Sequence, residues 1–213
     1  MAEEFFSKGW NVVGTVRDPA SRTKLHELAD QSDGRVTIET LDINEPAELA
    51  ALRERLAGRV FDMLFVNAGT SNVPTETIGE VTTEEFVRVM VTNALSPMRT
   101  VEGLEHLVSP AGLIGIMSSG QGSVSNNTTG MREVYRGSKA ALNTFMRSYA
   151  ARHKEDARAL VLMAPGWVRT ELGGPDGRLS IEESVPNLVN VLLDRRGVPG
   201  LQYLDYLGKT VPW

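Results

Sequence analysis

Cysteine is absent from the 213 residues, which excludes disulfides, thiolate metal sites and a cysteine nucleophile. No apolar run is long enough to span a bilayer, and no signal-peptide pattern opens the sequence, so the expected address is the cytoplasm and no membrane partner is expected. Basic charge is scarce and scattered. The 22 Lys and Arg residues stand against 27 Asp and Glu, for a net charge of −5 and a pI near 5.3. With no Lys/Arg block, a nucleic-acid surface has no electrostatic support. No repeat, low-complexity stretch or composition shift divides the chain, so residues 1–213 read as one domain. A content of 41% hydrophobic and 23% charged residues is that of a chain that folds around a buried core.

Short apolar runs that end in polar or glycine residues predict buried strands at 11–16, 36–41, 61–67, 112–118, 158–164 and 202–206. Between them, helical periodicity predicts helices at 21–30, 46–56, 82–108, 134–153 and 180–194. Thr82 and Glu85 have capping-box spacing at the start of the third. Residues 1–8 look like the last turns of a helix stopped by Gly9. Strands alternating with helices imply parallel pairing and a doubly wound, Rossmann-like α/β sheet.

Tyr135 and Lys139 form a YxxxK pattern within a predicted helix, so phenol and ammonium share one face. A cation beside a phenol lowers a pKa otherwise near 10, as a proton exchanger for an alcohol/carbonyl pair requires. Alone, the pattern is a weak signal, and in most proteins it is a surface tyrosine and a lysine whose stem lies along the surface. Other patterns accompany it in order. Asn67-Ala68-Gly69 ends a strand, Asn93 sits in the 82–108 helix, and Ser118-Ser119 follow a strand at its carboxyl end, where open α/β sheets keep their sites. Pro165 to Thr170 (PGWVRT) follows the strand after the tyrosine helix. His26, His106 and His153 are scattered along helices without metal-ligand spacing, and no metal site is expected.

These motifs resemble those of the short-chain dehydrogenase/reductase family from Asn11 to Trp213, and VYRGSKAALN, SNNTTG and the DYLGKTVPW tail are similar to its C-factor/sniffer-like carbonyl reductase branch. The resemblance implies a catalytic tetrad in which Ser119 polarises a carbonyl and Tyr135 exchanges the proton. Lys139 lowers the tyrosine pKa and holds the nicotinamide ribose, and Asn93 anchors a proton-relay water. Ser119 is preferred to Ser118 because the family's SSxxG pattern places the second serine in the site. The resemblance also implies cofactor contacts from Asp42, Ile43, Asn67, Ala68, Gly69, Tyr135, Lys139, Pro165, Gly166, Val168 and Thr170. Arg17, after the strand ending at Val16, suits a 2′-phosphate and hence NADP; otherwise it is a solvated charge at a strand end. Gly173-Gly174 is expected to begin a mobile segment on the substrate side.

Family members also carry a first strand followed by TGxxxGxG, and neither occurs in these 213 residues. The strands at 11–16 and 61–67 would flank that strand. They are therefore expected to pair directly, to accept a segment of another chain, or to leave part of the domain loose. Two expectations follow: an NADP(H)-linked oxidoreductase acting on a small carbonyl or alcohol with weakened cofactor binding, or a remnant that acts without nicotinamide, as an enzyme or a binding protein. Phe86, Met90, Leu142, Phe145 and Met146 are expected to supply the buried face of a homodimer or homotetramer.

Overall fold

The computed structural model describes residues 1–213, which divide into two compact units, Met1–Gly58 and Arg59–Trp213. The first contains α1 (Ala2–Ser7), β1 (Val12–Val16), α2 (Lys24–Asp30), β2 (Val36–Thr40) and α3 (Pro46–Arg55). Gly9 follows α1 at φ +87°, a left-handed turn that glycine adopts without a Cβ penalty. β1 and β2 pair in parallel from Val12↔Val36 to Val16↔Thr40. Leu25 of α2 packs flat on this ribbon, so close to Gly14 that a Cβ there would lie 2.7 Å from it. Phe5, Val36, Leu41, Leu52 and Leu56 are buried here.

The second unit contains β3 (Phe61–Val66), α4 (Thr83–Met90), α5 (Ser96–Leu104), β4 (Val108–Met117), α6 (Glu133–Arg152), β5 (Ala159–Ala164), α7 (Ile181–Arg195) and β6 (Gly200–Asp205). Its sheet runs in the order β3-β4-β5-β6, and every pairing is parallel. All six residues of β5 are buried, as a continuous apolar run in a sheet covered on both faces should be. Ser180 caps α7 through a reciprocal capping box with Glu183, and Thr82 accepts the Glu85 N–H at the start of α4. The α/β class with parallel, helix-connected strands is thus the one the alternating pattern implied. β1 has a strand partner only in β2, and β3 only in β4. The expected direct pairing of the strands at 11–16 and 61–67 is therefore not made.

Three expectations need correction. The helix expected over 82–108 is interrupted: α4 passes into a π turn at Val91–Leu95, then α5, then a 3-10 turn at Glu105–Leu107. A π turn carries an extra residue and rotates the side chains that follow it, which periodicity does not register. β4 begins at Val108 rather than 112, with a register shift between Phe61 and Met63 of β3 that absorbs Ser109 to Gly112. Fewer of the apolar side chains expected on an association face are exposed. Leu142 and Met146 are fully buried inside the protomer, whereas Phe86 and Phe145 are exposed. An apolar stripe reports burial without saying whether the covering surface belongs to the same chain.

Candidate active site

Strand β4 ends at Met117, and the next N–H, that of Ser118, still donates to Met163 O on β5 at 2.8 Å. Beyond it, Ser119 is extended and its hydroxyl accepts the Gln121 N–H. The two serines part here. Ser118 Oγ donates to Asn143 Oδ1 at 2.7 Å in a fully buried bond, whereas the Ser119 hydroxyl lies near enough to the Tyr135 phenol to pull its pKa down. The Ser118 hydroxyl is thus committed to α6, while that of Ser119 faces Tyr135.

Tyr135 and Lys139 lie one turn apart on α6 and both are buried. Burial pushes the Tyr135 phenol above its ordinary value near 10, against the opposing pull of the Ser119 bond and the Arg132 guanidinium. The phenol is thus held protonated in the unliganded chain. This differs from the expected lowering by Lys139, and the reason is desolvation: a buried neutral phenol resists becoming an anion. Lys139 is affected by the same cause, with burial lowering its pKa to about 8. Its ammonium donates to Met117 O at 2.9 Å, one acceptor for three N–H donors. Arg132, just before α6, has φ +61°, a left-handed backbone that costs a non-glycine residue about 1 kcal/mol. Its N–H donates to Pro74 O, so the loop after β3 holds the strained residue in place.

Asn93 is fully buried in the π turn. Its Oδ1 accepts the Thr70 N–H at 2.8 Å, and Nδ2 donates to Thr70 O at 2.8 Å and Ser138 Oγ at 2.9 Å. Both amide protons are therefore used to tie the loop after β3 to α6. A Cβ on Gly69 would stand 3.5 Å from both Asn93 Oδ1 and Lys139 Nζ, so the NAG turn passes directly over the lysine. The structure brings Asn93, Ser119, Tyr135, Lys139 and Gly69 together. Asn67 and Gly69 are exposed and Ala68 is half-buried.

Pro165, Gly166, Val168 and Thr170 follow β5. Gly166 has φ +82°, and a Cβ there would strike Leu179 at 2.6 Å. Val168 bridges Leu179 and Thr170 bridges Gly174, while Trp167 Nε1 donates to Gly173 O at 2.7 Å. A Cβ on Gly173 would lie 2.0 Å from Val168 O. Gly173-Gly174 forms a tight, hydrogen-bonded turn in which Gly173 has no room for a Cβ. Thr170 Oγ1 accepts the Gly173 N–H at 3.0 Å and reaches Val168 O only at 3.4 Å, which leaves its proton weakly committed.

Arg17, Asp42 and Ile43 lie in the first unit. Arg17 is exposed just past β1. Asp42 Oδ1 accepts the Asn44 N–H at 2.8 Å, and Ile43 is buried. Sequence reasoning missed Tyr203, Asn143, Thr70, Ser138 and Arg132. Of these only Asn143 carried a signal, being four residues beyond Lys139 on the same helix face.

A parallel α/β sheet with a serine at a strand end and a Tyr/Lys pair on the next helix brings together groups able to exchange a proton with an alcohol or carbonyl. The profile described as Enoyl-(Acyl carrier protein) reductase matches residues 1–185. The chain is 34% identical over 154 residues to the C-signal protein of Myxococcus xanthus, covering 71% of this chain and 92% of that one. Among solved structures, a Burkholderia multivorans protein described as a short-chain dehydrogenase/reductase with bound NADP is 65% identical, with a TM-score of 0.98 over 100% of this chain and 92% of that one. A carbonyl reductase from Pseudomonas aeruginosa PAO1 in complex with NADP is 34% identical, with a TM-score of 0.91 and the same coverage. The chain belongs to the short-chain dehydrogenase/reductase family. No helix is long and apolar enough to cross a membrane.

Proposed function

We propose that this protein is an NADP(H)-linked carbonyl reductase that works through Ser119, Tyr135, Lys139 and Asn93. The observation that carries the reading is the Ser119 hydroxyl placed beside the Tyr135 phenol, where it opposes the rise in its pKa, with a buried ammonium that has donors to spare one helical turn away. When bound, NADPH supplies the hydride. The protonated Tyr135 donates to the carbonyl oxygen, and the Ser119 hydroxyl steadies the charge that develops on it. Lys139, with a pKa of about 8, carries a proton that a tyrosinate left by the reaction can accept, and its unused N–H groups suit ribose hydroxyls. Asn93 acts by holding the Thr70 turn on α6, since its amide protons are already committed and only a further acceptor site remains for a water. The small-molecule substrate is an alcohol or carbonyl compound.

The residues present fit NADP in part. Gly69 leaves room beside Lys139 Nζ, the Thr170 hydroxyl can turn its proton outward, and the exposed Arg17 suits a 2′-phosphate. These 213 residues contain no TGxxxGxG segment to meet the pyrophosphate. Two or three absent charge-assisted bonds of about 1.5–3 kcal/mol each weaken binding by about 3–9 kcal/mol. Calorimetric titration of the 213-residue chain with NADPH is therefore expected to show weak or undetectable binding, restored by adding a strand and TGxxxGxG loop upstream. Micromolar or tighter affinity in the unaltered chain overturns this account of the cofactor site.

The protein is also expected to form a homodimer or homotetramer, because Phe86 and Val87 on α4 and Phe145 on α6 are large apolar side chains left exposed on helices that pack together. Sedimentation at micromolar concentration should show association, reduced by Phe86→Glu with Phe145→Glu. A wild-type protein that sediments only as monomer rules this out.

A further inference from the structure

We infer that Tyr203, on β6, is a positioning residue for the Ser119–Tyr135 pair, acting through the backbone of Ser119. The inference rests on the function proposed above. Sheet hydrogen bonding ends at Ser118, so something other than β4 must hold the next residue. Three contacts do so. Asn143 binds the loop at both ends, accepting from Ser118 Oγ and donating from Nδ2 to Gly122 O at 3.2 Å. The Gly122 N–H donates to Ser119 O at 2.9 Å. Tyr203 then donates its hydroxyl to the same Ser119 carbonyl.

That last bond is not needed to satisfy the carbonyl, which Gly122 already serves. A phenylalanine would also fill the space, since Tyr203 is only 2% exposed. The hydroxyl instead adds a second, differently directed restraint on the residue whose side chain meets Tyr135. Burial raises the Tyr203 pKa, against the opposing pull of the nearby Asn143 and Ser118 side chains and with a further push from Tyr135. At neutral pH it therefore remains a donor. The tail secures the ring. After β6 the chain turns at Asp205–Lys209 and returns, so that the Val211 N–H donates to Tyr203 O at 2.8 Å. The Trp213 ring lies 5.3 Å from that of Tyr203, with the Arg147 guanidinium over the Trp213 ring at 4.5 Å. Ser125, on the loop that begins at Ser119, donates both N–H and Oγ to Trp213 O, at 3.1 Å and 2.6 Å. Tyr203 thus joins the tail to the serine loop at the point where the serine needs support.

The test uses the unliganded 213-residue chain labelled with 13C at tyrosine Cζ, which gives four resonances, with Tyr135 assigned through Tyr135→Phe. Groups near Tyr135 that could move its resonance are Ser119, Arg132, Lys139 and Tyr203, and only the first and last are varied. Ser119→Ala is expected to shift the Tyr135 resonance at neutral pH and to raise its titration midpoint by about half a unit or more, because a donor to the phenolate is lost. Tyr203→Phe should shift both in the same direction, and the double variant should go no further than Ser119→Ala alone. Trp213→Leu, which keeps the Tyr203 hydroxyl but loosens its ring, should give a smaller shift of the same sign. A Tyr203→Phe protein that melts lower while its Tyr135 signal stays at the wild-type position overturns the inference, as does additivity in the double variant. Should Ser119→Ala itself leave Tyr135 unmoved, the hydroxyl pair on which the proposed function rests falls along with it.

Discussion

Replacing Tyr135 by phenylalanine is expected to lower carbonyl reduction about a thousandfold, within the range of about 10²–10⁴ that a positioned general acid contributes. The change removes one hydroxyl and keeps a ring that is 8% exposed and packed at the start of α6. Stability should fall by no more than about 1 kcal/mol, the net value of one hydrogen bond. Substrate affinity at raised NADPH should change little, because the lost interaction is strongest in the transition state. The wild-type pH dependence follows from the same group. A phenol whose pKa is raised above 10 by burial keeps its proton throughout the neutral range. Reduction, which needs that proton, should be flat near neutrality and decline only in alkali. Alcohol oxidation needs the phenolate and should climb as pH rises. Steady-state rates in both directions, with circular dichroism to confirm the fold, provide the check. A Tyr135→Phe protein that retains wild-type turnover removes Tyr135 from the mechanism, whatever the substrate.

Local patterns made the reactive helix legible. Tyr135 and Lys139 share a face because four residues make about one turn, and α6 extends within one residue of the expected bounds at either end. The strand ends were legible for a similar reason: an apolar run that stops at Ser118-Ser119 or Asn67 has a visible terminus. Contacts set by long-range packing were not visible. Tyr203 lies 84 positions from Ser119, and nothing in QYLDY distinguishes it from Tyr206. The π turn at Asn93 was hidden because an interrupted helix keeps the composition of a continuous one. Leu142 and Met146 were assigned to a subunit interface because an apolar stripe does not name its cover. The sign of the Tyr135 shift was misread because four-residue spacing reveals a neighbouring charge but not the burial that outweighs it.

Lys139→Met is expected to remove cofactor-dependent turnover while making the folded chain more stable at neutral pH. The ammonium is almost wholly buried, faces no carboxylate partner, and has its pKa lowered from 10.5 to about 8 by desolvation alone. A lysine whose folded pKa lies below its unfolded one penalises folding wherever the unfolded chain holds a proton that the folded chain resists. The penalty is full below pH 8, shrinks as pH rises from 8 to 10.5, and vanishes above. A difference of about 2.5 pKa units corresponds to about 3 kcal/mol at 1.36 kcal/mol per unit. Methionine has a similar length and no charge, but it forfeits the bond to Met117 O, worth about 1 kcal/mol. The net gain at pH 7 is then about 2 kcal/mol, or roughly 4–8 °C in Tm at about 2–4 °C per kcal/mol. Denaturant titrations at pH 7 and pH 10 should show the variant ahead at the lower pH and its advantage lost at the higher. A variant less stable than wild type at both pH values means that the ammonium is better compensated than its one carbonyl partner suggests. The expected result instead makes Lys139 a charge kept in the core at a cost in stability, which is the pattern of a residue retained for chemistry rather than for folding.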